Sequence, residues 1–220
     1  MLGNLKLFSY WRSSATYRVR IALNLKGLEY EMIPVNLTRN GGDNHGEDFL
    51  KMNPQGMVPV MTDGGRVFKQ SMAIVEYLDE AYPDAPLLPT EIRARARVRM
   101  LAQMIACDVH PLNNLRVLML LEKEFAIKGK RKTEWYQYWI AEGFRAFEVL
   151  LEQSSSTGEF CEGDDPGMAD CFLIPQVYNA LRYDCEMKPY PKIREIYDNC
   201  MILDEFVDAS PESQPDAELS

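Results

Sequence analysis

Histidine is nearly absent from this chain, His45 and His110 being the only two. With no paired cysteines to join either of them, a zinc site is not expected, and nothing else asks for a metal. Cysteine is sparse too. Cys107, Cys161, Cys171, Cys185 and Cys200 are scattered, odd in number and free of any C-x-x-C pair. That pattern suits reduced core thiols better than a disulfide framework. Long hydrophobic runs are also missing: no stretch approaches the roughly 18 consecutive apolar residues of a spanning helix. The first residues lack the apolar core of a secretory signal, so neither a membrane nor export is expected, and the cytoplasm is the default compartment.

Positive charge is the third shortage. Lys and Arg number 24 against 33 Asp and Glu, and the formal net charge of −9 opposes binding to nucleic-acid phosphates or anionic lipid. The shortage is uneven. From Leu5 to Leu28 the charged residues are Lys6, Arg12, Arg18, Arg20 and Lys26, with no acid among them, whereas no base follows Arg194. The basic stretch reads either as a seat for a small anion or as an exposed helix face; the acidic end reads as a solvated tail, and its last stretch, "SPESQPDAELS", as loose.

What is present is a core. Over 220 residues, 46% are hydrophobic, enough for two small domains or one large one. Leu5–Tyr10 reads as a strand, Thr16–Lys26 as a helix stopped by Gly27, and Tyr30–Leu37 as a second strand, an order that suggests a βαβ unit with parallel strands. "MVPVMTDGGRVFKQ" gives two short strands around a Asp63-Gly64-Gly65 turn, and "SMAIVEYLDEAY" gives a helix with Ser71 in the cap position. "YPDAPLLPTE" breaks all periodicity and reads as a linker. Beyond it the strand signals stop, and helical patterns cover about 93–128, 133–153, 168–183 and 191–209.

Two adjacent hydroxyls, Ser13 and Ser14, stand where the first strand gives way to the first helix. As plain residues they are capping candidates. The same holds for Gln70 and Ser71 at a later helix start, where free N–H groups and the positive dipole end also favour an anion.

The motifs "YWRSSATYRVRIALNLKGLEYE", "NPQGMVPVM", "QSMAIVEYLDE", "IACDVHPLNNLRVL", "MADCFLIPQVYNALRY" and "PESQPDA", in this order and spacing, resemble the zeta class of glutathione transferases across nearly the whole chain. That class includes maleylacetoacetate and maleylpyruvate isomerases. The resemblance implies a thioredoxin-like βαβ-ββα domain at 1–83, a linker at 84–92 and an all-helical domain at 93–220. It further implies glutathione as cofactor, a dicarboxylate substrate and a homodimer.

By the same resemblance Ser14 activates the glutathione thiol, with Ser13 as a cap or second donor. Val58 and Pro59, the latter as a cis-proline, hold the cysteinyl main chain. Gln70 and Ser71 seat the γ-glutamyl carboxylate, and Asn44, His45, His110 and Asn114 complete the cofactor site beside Ala15. Arg12 and Arg182 face the substrate carboxylates, with Arg116 a third candidate. Each has a plainer alternative: an edge-strand proline for Pro59, a cap for Ser71, surface salt bridges for the three arginines and a helix kink for His110.

Two departures stand out. Family members often read Ser-Ser-Cys where this chain has Ser13-Ser14-Ala15, and usually Ser or Thr where it has Gly167, leaving half a capping box with Asp170. The lost thiol weakens a reductive or thiol–disulfide reading, since both need a protein thiolate. It leaves an isomerase possible. The implied reaction converts maleylacetoacetate to fumarylacetoacetate in tyrosine breakdown; alternatives are maleylpyruvate isomerisation, conjugation of glutathione to α-halo acids, and a non-catalytic glutathione-binding scaffold.

Overall fold

Alternation of Leu7 and Ser9, both fully buried, with Lys6 and Phe8 makes the first strand, β1 (Lys6–Ser9). The computed structural model describes residues 5–218. Helix α1 (Ser14–Leu25) crosses over to β2 (Glu31–Pro34), which lies parallel to β1 with Met32 beside Leu7. β3 (Val60–Asp63) runs antiparallel on the other side, Met61 opposite Leu7, and turns into β4 (Arg66–Lys69). The turn residues Gly64 and Gly65 have φ of 54° and 83°, the left-handed values a two-residue hairpin demands. The sheet order is β2-β1-β3-β4. A short helix, α2 (Glu47–Met52), precedes β3, and α3 (Ser71–Ala81) follows β4 and packs against α1.

The arginines of α1 and the lysine after it are not an exposed face. Arg18 and Arg20 are 2% and 0% exposed. Arg18 Nη1 donates to Ser71 Oγ at 3.2 Å. Arg20 donates to three oxygens: Ala209 O at 2.8 Å, Trp11 O at 3.1 Å and Ser9 Oγ at 3.2 Å. Lys26 Nζ, also buried, reaches the Asp84 and Ala85 carbonyls at 3.0 Å each and Asp79 at 3.7 Å. A cation leaves water only where its donors find acceptors, and here backbone oxygens supply most of them.

Those acceptors correct the reading of the acidic end. Residues 210–218, the described part of the stretch read as loose, are tied to the segment before them: α9 (Asp204–Val207) buries Phe206 completely, and Gln214 Nε2 donates to the Asp208 and Ser210 carbonyls at 2.8 Å each. Tyr17 Oη donates to Phe206 O at 3.2 Å. The described residues up to Leu87 therefore form one compact unit with those from Ile202 on, and Leu88–Met201 form the other. A second domain of 93–220 is too long at its C-terminal end, because Arg20 and Tyr17 draw the last residues onto the first unit.

The second unit is helical: α4 (Ile92–Gln103), α5 (Leu115–Phe125), α6 (Lys130–Glu152), α7 (Met168–Arg182) and α8 (Pro191–Cys200). α7 is buried along nearly its whole length, with α4, α6 and α8 packed on it. The single helix expected over 93–128 is broken. A π turn at Met104–Val109 and a 3-10 turn at His110–Asn113 separate α4 from α5, since Pro111 has no N–H to continue the ladder. Buried carboxylates anchor two helix starts. Glu148 accepts the N–H groups of Lys192 and Ile193 at 2.6 and 2.9 Å at the head of α8. Asp170 accepts those of Gly167 and Cys161, both at 2.9 Å, so the acidic half of the capping box works with glycine in the cap position.

Candidate active site

The turn joining β1 to α1 closes with Ser13 N–H donating to Tyr10 O at 2.9 Å. Ser13 is the cap: its Oγ accepts the Thr16 N–H at 3.3 Å. Ser14 is thereby the first helical residue, two positions earlier than the sequence pattern suggests, and it is 8% exposed. Half-buried Ala15 follows. Arg12, also half-buried, lays its guanidinium over the Trp11 ring, Cζ 4.5 Å from the centroid, and has no ion-pair partner among the described residues.

The Val58–Pro59 bond is cis and stands directly before β3. Val58 packs in one apolar cluster with Tyr10, Trp11, Val35, Phe49 and Val60, so the serine turn and the proline turn share a floor. The approach to the proline is held by Asn53, whose Nδ2 donates to Met57 O at 2.7 Å. Gln70 lies exposed at the foot of α3 with φ of 70°, uncommon for a residue with a side chain, and its Nε2 donates to Gln55 Oε1 at 2.8 Å.

Ser71 is the first residue of α3, and Gln70 holds the cap position without a side-chain bond, a shift of one from the sequence reading. Because Arg18 donates to Ser71 Oγ, a buried guanidinium reinforces the positive end of α3. Asn44 turns inward. It is buried, its Nδ2 donates to Gly56 O at 2.7 Å, and its Oδ1 fills the space a Cβ on Gly42 would take, so it braces its loop from within. Its neighbour His45 is exposed.

The remaining candidates belong to the second unit. His110 Nε2 lies 3.4 Å from Asn114 Nδ2, and Asn114 Oδ1 caps α5 by accepting the Arg116 N–H at 3.1 Å. Arg116 and Arg182 are exposed, and neither has an ion-pair partner among the described residues. Arg182, at the end of α7, holds its Cζ 5.2 Å from the ring of Tyr183, which stacks on Tyr136. Among the described residues, the surface salt bridges offered as the plainer alternative for the three arginines are thus not seen.

Residues 3–80 match the glutathione S-transferase N-terminal domain. A probable maleylacetoacetate isomerase of Vibrio cholerae is 45% identical over 97% of this chain and 99% of its own. A bacterial maleylpyruvate isomerase described as a zeta-class glutathione S-transferase superposes with a TM-score of 0.94 at 43% identity, over 97% of this chain and all of its own. This chain belongs to the zeta-class glutathione S-transferase family. The maleylacetoacetate isomerase of Methylobacterium extorquens AM1, solved with malonate and glutathione bound, is another close match, with a TM-score of 0.93 and 41% identity over 97% of this chain and all of that one.

This zeta-class site contains residues that sequence reasoning did not single out. Arg18 behind Ser71, Gln55 beside Gln70, and Arg20 and Asp216 on either side of Trp11 all support candidate positions. For Arg18 and Arg20 a signal existed, an acid-free basic run on an otherwise apolar helix. For Gln55 and Asp216 there was none, because each meets its partner only through the fold.

Proposed function

We propose that this zeta-class enzyme is a glutathione-dependent cis–trans isomerase that converts maleylacetoacetate to fumarylacetoacetate, working as a cytoplasmic homodimer in tyrosine breakdown. The observation that carries the reading is the division between the two serines. Ser13 spends its oxygen on capping α1, so Ser14 stands as the first helical residue at the positive end, beside an alanine in place of a thiol.

The donor set fits glutathione. A tripeptide with an anionic γ-glutamyl end needs one site for a carboxylate and another for a thiolate, and the first unit has two helix starts carrying serines, Ser71 over buried Arg18 and Ser14. When bound, glutathione supplies the thiolate that adds to the cis double bond, allows rotation about the resulting single bond and leaves again, so that it is regenerated.

Ser14 holds that sulfur as thiolate. A free thiol of pKa about 8.5 is only a few per cent ionised at neutral pH, and lowering it by roughly 2 units needs about 2.7 kcal/mol. A hydrogen bond to a charged acceptor supplies roughly 1.5–3 kcal/mol and a helix N-terminus roughly 0.3–2 kcal/mol, which together suffice. Ser71 and Gln70 seat the γ-glutamyl carboxylate, and Val58, ahead of Pro59, offers its main chain to the cysteinyl residue. Arg12 and Arg182, with Arg116 in reserve, bind the substrate carboxylates and stabilise the enolate charge formed on addition.

Mixing protein, glutathione and maleylacetone while following loss of the cis enone in the ultraviolet tests the reading. Turnover is expected, and no turnover would favour a glutathione-binding scaffold. The likeness to a maleylpyruvate isomerase supports that diacid as the second substrate to assay.

A further inference from the structure

The peptide of Trp11 is held on one side by the far end of the chain and on the other by Arg20, which itself reaches that end. Its N–H donates to Asp216 Oδ2 at 3.1 Å, and its carbonyl accepts from Arg20 Nη2 at 3.1 Å, while Arg20 Nε holds Ala209 O at 2.8 Å. Nearby, Glu218 reaches Arg39 at 2.8 Å, and Ala217 packs against the cluster that contains Tyr10, Trp11 and Val58. Residues 209–218 are thus tied to the serine turn by a carboxylate, a carbonyl and an apolar contact. The ring of Trp11 in turn carries the Arg12 guanidinium.

From this chain of contacts we infer that Asp216 is a positioning residue: by fixing the Trp11 peptide it sets the indole that holds Arg12 in place for a substrate carboxylate. The inference rests on the function proposed above. An arginine stacked on an aromatic face keeps its planar fork in one plane, and the fork binds a carboxylate through two parallel N–H groups only when that plane is fixed. Among the described residues no acid fixes Arg12 directly, so its orientation depends on Trp11, and that of Trp11 on Arg20 and on a carboxylate 205 positions away. Asp216 touches neither substrate nor cofactor in this scheme.

Four variants test it: Asp216→Ala, Asp216→Asn, Arg12→Ala and the Arg12→Ala/Asp216→Ala pair. Asp216→Ala should raise KM for maleylacetone by about tenfold, one hydrogen bond's worth, and leave the affinity for S-methyl glutathione within about twofold of wild type. Asp216→Asn keeps an oxygen for the Trp11 N–H and should restore most of the loss. In the Arg12→Ala background the Asp216→Ala change should add nothing to KM, since residues acting through one another are not additive.

A readout independent of turnover comes from Trp11 emission in a Trp135→Phe/Trp139→Phe background, which Asp216→Ala should shift to the red and expose to acrylamide. Losses that multiply in the pair, or an Asp216→Ala protein with wild-type KM and unchanged Trp11 emission, would overturn the positioning role. A wild-type protein inert towards maleylacetone sinks the isomerase reading instead, and with it any service of Asp216 to catalysis.

Discussion

Ser14 and Ser71 both open helices, yet the proposed chemistry asks different things of them, and their variants should separate accordingly. Ser14→Ala should raise the pKa of the bound thiol and cut kcat/KM by more than about tenfold, with binding of S-methyl glutathione little changed. Ser71→Ala should instead weaken glutathione binding by about 1–2 kcal/mol and leave the bound-thiol pKa where it was, because in the proposed scheme it removes a carboxylate ligand above Arg18. Ultraviolet titration of the bound thiolate and calorimetry distinguish the two. Equal affinity losses with no pKa movement in either variant would refute the division. Ala15 gives a third test at this scale. A cysteine placed at a helix start has its pKa depressed well below about 8.5, so Ala15→Cys should form a mixed disulfide with oxidised glutathione at position 15, seen by peptide mapping and reversed by dithiothreitol. Wild type should gain no such adduct at this turn.

Among the elements, α7 depends on a buried acid. Complete burial pushes the Asp170 carboxyl above its ordinary value, and the N–H groups of Cys161 and Gly167 work against that rise. Between the ordinary aspartate pKa and the raised one the native state binds more protons than the unfolded chain. The contribution of Asp170 to stability should therefore fall as pH climbs through that window and level off above it. Asp170→Ala should cost about 2–4 kcal/mol by orphaning the buried N–H of Cys161 and the partly buried one of Gly167. In paired thermal melts the gap between wild type and variant should be widest at the acid end of the window. The helices themselves were largely legible in the sequence. Apolar periodicity and flanking glycines and prolines marked α1, α3, α6 and α7 because those signals act within a turn or two. What stayed hidden was set at longer range or by backbone choice: the π turn before Pro111, the positive φ that puts Gln70 rather than Ser71 in the cap position, and the distant acceptors of Arg18 and Arg20. At the candidate site the serine turn and the cis-proline could be read from motifs. Asp216 could not, since nothing in its neighbourhood announces a partner 205 positions away.

Over the whole molecule the thiols report on the folded state. Cys161, Cys171 and Cys200 are buried, and burial pushes the Cys161 and Cys200 thiols well up; Cys185 is raised to about 11 by burial and by Asp184, while Cys107 is exposed. Since the thiolate is the reactive form, brief treatment of the native protein with iodoacetamide at neutral pH should label Cys107 first, and all five cysteines should react once it is denatured. Early labelling of Cys161 or Cys200 would contradict the packing described here.

The partnership of Arg20 with Ala209 also has a temporal side. Ribosomes add roughly 5–20 residues per second, so synthesis of Leu88–Met201 separates the two halves of the first unit by an interval on the order of 10 s. During that interval β1, α1 and the hairpin have emerged, but one acceptor of the Arg20 guanidinium does not yet exist, and water must take its place. Completion of the first unit is thus deferred until the second has been made, and closure around Arg20 marks a late event in the biogenesis of the chain.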